Sequence, residues 1–170
     1  VQQDGDQALY QLIKEIDHVT LDTLAVSESE IEAALKGVSP ELLKVMEQAK
    51  ENILSFHQKQ VRQGFVSTEP NGVVMGQRII PLARVGVYVP GGTAAYPSTV
   101  LMDVLPAKIA GVKKIVMMTP TDSEGNVPAA ILAAASIAGV DEIYKVGGAH
   151  GVAALAYGTE TIPKVDKIVG

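Results

Sequence analysis

Three short turns stand where an apolar, strand-like run gives way to a helix, and they are the positions of this sequence best suited to bind a ligand. They are Pro90-Gly91-Gly92 after VGVYV, Thr119-Pro120 after KKIVMM, and Gly147-Gly148 after EIYKV. Such turns leave backbone N–H groups free beside the start of a helix, which suits a phosphate-bearing cofactor. Because the carboxyl ends of parallel strands share one edge of a sheet, the three turns should line one crevice.

The same glycines also have a purely structural interpretation. Each could simply let a strand turn tightly into a helix. The sequence lacks the G-x-G-x-x-G fingerprint of dinucleotide-binding proteins. Spacing alone therefore leaves both interpretations open.

The elements that position these turns alternate between strand and helix from about Arg84 onward. VGVYV, KKIVMMT, EIYKV and VDKIV are the predicted strands, and Gly111, Gly139 and Gly158 mark the ends of the intervening helices. This alternation predicts an α/β fold, a Rossmann-like parallel sheet with flanking helices. Because no covering helix follows VDKIV, we expect the sheet to be incomplete at the C-terminus and the chain to be a segment of a longer protein. Pro106 should kink or split its helix.

The first third of the chain is predicted to be helical. QALYQLIKEI carries apolar residues at helical spacing. Ser27 and Glu30 match a capping box, and Ser39 supplies the cap of a longer helix. The change of rhythm divides the chain into a helical N-terminal region, 1–83, forming part of a first, larger domain, and an incomplete Rossmann-like lobe, 84–170.

Composition excludes several classes of protein. The 170 residues fit one ordinary domain, or one domain with a piece of another. A net charge of −5 gives no electrostatic reason to bind nucleic acid or an anionic membrane. The absence of cysteine excludes disulfides and Cys-based metal sites. No apolar run reaches membrane-spanning length and the N-terminus lacks the features of a signal peptide, so we expect a soluble, cytoplasmic protein.

Longer motifs surround the three turns, and together they resemble one enzyme family. VGVYVPGG, YPSTVLM, PAKIAGV and VGGAHGVAALAYGTE closely resemble histidinol dehydrogenase, which oxidises L-histidinol to L-histidine with two NAD at the end of histidine biosynthesis. The resemblance implies that this chain corresponds to the N-terminal part of the family sequence. It further implies that NAD is bound by Tyr88, Gly91, Gly92 and His150.

Two of these residues need separate comment. Tyr88 lies at the end of the first strand, where its ring could pack on the cofactor, although a tyrosine there could also belong to the core. His150 departs from the family, whose motif is VGGAQ and whose glutamine contacts NAD. A neutral imidazole offers one donor and one acceptor for a similar contact, while a histidine without a ligand is the alternative. If His150 contacts NAD, affinity should depend on pH between about 5.5 and 7.5.

The remaining candidates have weaker support. Asp122 follows the second strand, where dinucleotide folds place an acid for ribose hydroxyls, but TPTDSEGN is also typical of a solvated turn. Asp103 is equally well explained as a surface charge. His57 lies in FHQKQ, similar to the family's FH..Q pattern, and is assigned a structural or interdomain role. His18, His57 and His150 are scattered and match no zinc-binding motif.

The resemblance also implies what this segment lacks. The family's glutamate–histidine acid/base pair and its zinc ligands lie beyond the position that matches Gly170. We therefore expect no catalytic residue and no metal ligand here, and no turnover of histidinol by the segment alone. Family members are homodimers whose active sites are completed across subunits. Two alternatives stay open: a related dehydrogenase of another small hydroxyl compound, such as a sulfonated propanediol, and a non-catalytic nucleotide-binding module.

Overall fold

Strands and helices alternate in the second half of the chain, after a mainly helical first half. The structure is a computed structural model that describes residues 1–91 and 95–170. Its helices are α1 (Gly5–Leu12), α2 (Glu28–Gly37), α3 (Pro40–His57), α4 (Pro97–Ile109), α5 (Ala129–Ala138) and α6 (Gly148–Tyr157). Its strands are β1 (Phe65–Thr68), β2 (Val74–Gln77), β3 (Arg84–Tyr88), β4 (Lys114–Met118), β5 (Glu142–Tyr144) and β6 (Lys167–Val169). A π-helical turn, Ile13–Asp17, continues α1, and a 3₁₀ turn, Gln58–Gln60, continues α3.

Four of the strands form a parallel sheet in the order β5-β4-β3-β6. In this sheet Val87 of β3 lies opposite Met117 of β4 on one side and Val169 of β6 on the other. The chain therefore builds outward from β3 through β4 to β5, and then crosses back to the far side of β3. This is the strand order of the first half of a doubly wound nucleotide-binding fold. The predicted Rossmann-like parallel sheet with flanking helices is confirmed.

The outer edge of β5 is covered by an irregular segment that the sequence did not reveal. Ala25 forms an antiparallel bridge with Tyr144. The amide of Val26 donates to the carbonyl of Ile143 at 2.9 Å, and the amide of Lys145 donates to the carbonyl of Leu24 at 2.7 Å. Because the backbone groups of the edge strand are paired in this way, that edge is closed to further strand pairing.

Side chains alternate along the strands between two apolar clusters, one on each face of the sheet. Ile115 and Met117 of β4 point toward α4 and α5, and the N-terminal helices α2 and α3 extend the same cluster. Val116 and Met118 point to the opposite face, where α1 and α6 lie. Helices of the first half therefore take part in covering both faces of the sheet. Three alanines of α5 (133–135) are fully buried.

On the second face α6 lies close to the middle of the sheet. A Cβ atom built on Gly86 of β3 would come within 2.8 Å of the Leu155 side chain, so only glycine leaves room for this approach. The N-terminus of α1 holds the loop that follows α6. The carboxylate of Asp6 accepts hydrogen bonds from the hydroxyls of Thr159 and Thr161. The first helix is thereby tied to the segment that leads into β6.

The helix ends follow the signals in the sequence, with one exception. Ser27 and Glu30 form a complete capping box at the start of α2, and the Ser39 hydroxyl caps α3. Of the two effects predicted for Pro106, a split is absent, because α4 continues through that residue to Ile109. The proline lies in the last turn and removes only one backbone hydrogen bond, the one to Met102.

Within the described ranges, no helix is long and apolar enough to cross a membrane.

Strands β1 and β2 form a separate antiparallel hairpin with Phe65 opposite Gln77. Its turn contains Gly72, whose φ of 86° suits glycine, as the Asn71-Gly72 pair predicts. All eight strand residues are exposed. The exposed apolar side chains of the hairpin and the segment after it are Phe65, Val66, Val73, Val74, Met75, Ile79, Ile80 and Leu82. A two-stranded hairpin with this much apolar surface is marginal without a partner.

Candidate functional site

The turns after β3, β4 and β5 meet around one proline at the carboxyl edge of the sheet. A Cβ atom built on Gly91 would overlap the ring of Pro120, and one built on Gly147 would lie 2.6 Å from Cβ of the same proline. Neither position has room for a side chain. The prediction that the three turns share one edge is therefore confirmed for these residues. Gly92, also predicted to bind the cofactor, lies outside the described residues.

Tyr88 joins two elements at this edge. It is the last residue of β3, and its hydroxyl accepts a hydrogen bond from the backbone amide of Gly148, the first residue of α6, at 3.1 Å. Its backbone also adjoins the end of β6, because a Cβ atom on Gly170 would overlap the Tyr88 carbonyl. Tyr88 thus lies at the carboxyl end of β3, on the side of β6. The strand order reverses between these two strands, and open α/β folds bind their ligands at such a position.

His150 lies one turn into α6 and is nearly buried, with 7% of its surface exposed. Its Nε2 is 3.6 Å from the carboxylate oxygen Oδ2 of Asp17, at the end of the π-helical turn. Burial lowers the pKa of the imidazole below its ordinary value, and the Asp17 carboxylate opposes that shift in part. At pH 7 the ring is therefore neutral, with one donor and one acceptor nitrogen.

Gly148 brings the two predicted site residues together. Its backbone amide donates a hydrogen bond to the hydroxyl of Tyr88. A Cβ atom built on Gly148 would lie 3.1 Å from Cε1 and 3.2 Å from Nδ1 of His150. Its φ of 57° falls in the left-handed region that favours glycine. Tyr88, Gly148 and His150 thus form one contiguous group at the start of α6.

A partly buried ion pair lies at the end of β5, and no pattern in the sequence indicates it. Nζ of Lys145, a residue that is 9% exposed, is 2.5 Å from Oε1 of Glu30. Burial alone would raise the pKa of the Glu30 carboxyl, but Lys145 and the hydrogen bonds with Ser27 outweigh it, so that this pKa lies below its ordinary value. Because Glu30 also completes the capping box of α2, the pair fixes the start of that helix to the strand end beside Gly147.

Thr119 is a second buried polar residue at this edge. It follows β4 directly and is 1% exposed. Its hydroxyl oxygen has no hydrogen-bond partner among the described residues. A buried hydroxyl without a partner is uncommon, and here it stands next to Pro120, where the three turns meet.

The weaker sequence candidates do not join this group. One carboxylate oxygen of Asp122 accepts hydrogen bonds from the amides of Glu124 and Asn126, each at 2.9 Å, as expected for a solvated turn. Burial raises the pKa of Asp103 on α4, and no described residue bonds its carboxylate. Nδ1 of His57 lies 2.7 Å from Oε1 of Gln60, so this pair from the FH..Q pattern is a local contact. Across residues 1–91 and 95–170, no cluster of three His, Asp or Glu side chains could hold a metal ion.

The strand order and the crowded carboxyl edge define a Rossmann-like α/β protein. Comparison with known proteins narrows this class, because the model of the histidinol dehydrogenase family matches residues 1–170. The chain belongs to the histidinol dehydrogenase family.

Individual relatives give the same result. Histidinol dehydrogenase from Listeria monocytogenes serovar 1/2a is 60% identical over all 170 residues, which are 40% of that protein. Histidinol dehydrogenase from Streptococcus mutans is 56% identical over all 170 residues, which correspond to 39% of that protein. A crystal structure of histidinol dehydrogenase from Elizabethkingia anophelis matches with a TM-score of 0.93 and 41% identity, over 97% of this chain and 38% of that one. The chain thus spans about two fifths of the length of these relatives.

Proposed function

We propose that this chain is the N-terminal part of an NAD- and zinc-dependent histidinol dehydrogenase, which oxidises L-histidinol to L-histidine with two NAD in histidine biosynthesis. The observation that carries the proposal is the 60% identity, over the whole chain, to a protein named histidinol dehydrogenase. The match includes the turns at the carboxyl edge, because it leaves no part of the chain out.

We assign NAD to the carboxyl edge of the sheet, with Tyr88, Gly91, Gly92 and His150 as contacts. The described residues fit such a group at the start of α6. The first amides of α6 lack partners within the helix, and the positive end of the helix dipole favours a phosphate.

The protein's own groups then have separate tasks. The ring of Tyr88 packs against the cofactor, and its hydroxyl holds the start of α6 through Gly148. The neutral imidazole of His150 makes a hydrogen bond in place of the family's glutamine. Bound NAD would accept the hydride removed from the substrate.

We assign the chemistry itself to residues outside this segment. On the family resemblance, a glutamate–histidine pair moves the protons and zinc positions the substrate. On that resemblance, no step of the reaction is assigned to the present segment. The segment alone is therefore expected not to oxidise histidinol.

We further propose that residues 1–83 belong to a larger domain of the complete protein. The apolar hairpin supports this proposal, because its side chains are exposed here and need a partner surface. We also propose a cytoplasmic homodimer, as the resemblance implies, with no nucleic-acid or membrane partner.

The test is a spectrophotometric assay of the protein expressed from its complete gene. With L-histidinol, NAD and zinc, NADH should form at two equivalents per histidinol consumed, and a chelator should abolish the rate. The chain of 170 residues serves as the matched sample and should form none. If the complete protein reduces NAD only with another small alcohol, such as a sulfonated propanediol, the substrate assignment is wrong. If it reduces none, a nucleotide-binding module is the better account.

A further inference from the structure

A contact between Asp17 and His150 joins the N-terminal region to the edge just described. Asp17 ends the π-helical turn after α1, and π turns recur at functional sites. The next residue, His18, adopts a left-handed backbone with φ of 58°, which is uncommon for a residue other than glycine. The carboxylate of Asp17 is thus placed by an irregular element, 3.6 Å from Nε2 of His150.

The two nitrogens of the His150 ring face different surroundings. Nε2 is buried, faces the carboxylate, and has no hydrogen bond at normal length within the described residues. Nδ1 lies on the side of Gly148, 3.2 Å from the position that a Cβ atom there would take. The amide of Gly148 is the one bonded to Tyr88, so Nδ1 is directed toward the cofactor edge.

We propose that Asp17 is a positioning residue that sets the tautomer of His150, with the hydrogen on Nε2 and a hydrogen-bond acceptor at Nδ1. In a neutral imidazole one nitrogen carries the hydrogen and the other accepts, and the partner of one nitrogen decides the role of the other. Hydrogen on Nε2 is favoured because the N–H group then points its positive end at the carboxylate. The opposite tautomer would place a lone pair there and be repelled.

The inference rests on the proposed NAD site and specifies what His150 can bind in it. A glutamine side chain offers both a carbonyl acceptor and an amide donor. His150 with a fixed tautomer offers only an acceptor on the side of Gly148. Its partner in the cofactor is therefore a donor, a hydroxyl or an amide N–H, and not a phosphate oxygen.

The tautomer can be measured without NAD. The protein expressed from its complete gene is labelled with ¹⁵N in its histidine rings, and the His150 signals are assigned by their loss in His150→Gln. At pH 7.5 we expect the Nε2 signal at the position of a protonated nitrogen and Nδ1 at that of an unprotonated one. In Asp17→Ala the two signals should move toward each other as the tautomers mix. A wild-type ring with its hydrogen on Nδ1, or signals unchanged in Asp17→Ala, overturns the proposal.

A cycle of variants then separates positioning from simple structural support. Asp17→Ala should weaken NAD binding by about two- to tenfold, the range for one hydrogen bond, when His150 is present. In a His150→Gln background the same substitution should have almost no effect. The control is Asp22→Ala, which removes an exposed carboxylate of the same loop. It should leave NAD affinity unchanged both in the wild type and in the His150→Gln background. Equal losses in both backgrounds would show that Asp17 acts only on the fold, contrary to the proposal. If the wild-type protein binds no NAD, the site assignment fails, and the tautomer measurement still decides the role of Asp17.

Discussion

The hydroxyl of Tyr88 accepts a hydrogen bond from the backbone amide of Gly148 at 3.1 Å. This bond connects the last residue of β3 to the first residue of α6, two elements that lie far apart in the sequence. It spans the position where the strand order of the sheet reverses. The proposed NAD site is built around it.

Removal of the Tyr88 hydroxyl should weaken NAD binding with little loss of stability. In Tyr88→Phe the amide of Gly148 loses its partner while the ring still packs at the end of β3. We expect NAD affinity to fall by about two- to tenfold, as for one net hydrogen bond. Isothermal titration measures the change. Tyr157→Phe, at the exposed far end of α6, is the control and should bind NAD as the wild type does. Equal affinities of Tyr88→Phe and wild type would argue against a role for this hydroxyl.

Side chains at the two glycines beside Pro120 should destabilise the fold. Gly91→Ala and Gly147→Ala each place a Cβ atom against the proline ring, and overpacking of this kind costs about 1–3 kcal/mol. Urea unfolding followed by circular dichroism measures the loss. Gly37→Ala, where a Cβ atom would meet nothing within 4 Å, should be neutral or slightly stabilising. If all three variants unfold at the same urea concentration, the close approach around Pro120 is incorrect.

The partly buried ion pair of Lys145 and Glu30 should contribute more to stability than an exposed pair. Lys145→Met leaves the Glu30 carboxylate without its cation, and we expect a loss of about 1–3 kcal/mol in the free energy of unfolding. Lys36→Met breaks an exposed pair with Glu32, at 4.0 Å, and should cost about 0–1 kcal/mol. Thermal unfolding of both variants tests the contrast. A larger loss for Lys36→Met would contradict it.

Protonation of His150 should destabilise the protein. Because burial lowers the pKa of this imidazole in the folded state, the unfolded chain takes up the proton more readily. The stabilising contribution of the neutral ring is complete above about pH 6.5, the unfolded value, and is lost as the pH falls toward the folded pKa.

The melting temperature should therefore fall more steeply from pH 7 to pH 5 in the wild type than in His150→Gln. The other titrating groups are common to both proteins, so the difference isolates His150. NAD affinity should fall over the same pH range, because a charged ring no longer offers an acceptor. Parallel melting curves in the two proteins would show that the ring does not titrate as described.

Local signals in the sequence were enough to predict the fold. Apolar strand-like runs, glycines at helix ends and the Ser27–Glu30 capping box each identify an element from neighbouring residues. Together they predict the βα alternation and hence the parallel sheet. The antiparallel segment at Ala25 was missed, because it covers the edge of β5 through backbone bonds that need no particular side chain. The split considered at Pro106 does not occur, because a proline in the last turn removes only one backbone hydrogen bond.

The site was predicted less completely than the fold. The three turns could be found because glycine and proline mark tight turns wherever they occur. The contacts of Asp17 with His150 and of Lys145 with Glu30 join residues distant in sequence, and no local pattern indicates such pairs. The roles of Tyr88, Gly91, Gly92 and His150 toward NAD remain predictions, as does the boundary near residue 84.

Hydrogen–deuterium exchange with and without NAD tests the central claim most directly. With the protein expressed from its complete gene and saturating NAD, we predict slower exchange in peptides covering 88–91 and 147–151. Exchange at 111–114, at the amino end of β4, should not change. Protection confined to other parts of the protein, with exchange at 147–151 unaltered, would contradict a cofactor site at the carboxyl edge of this sheet.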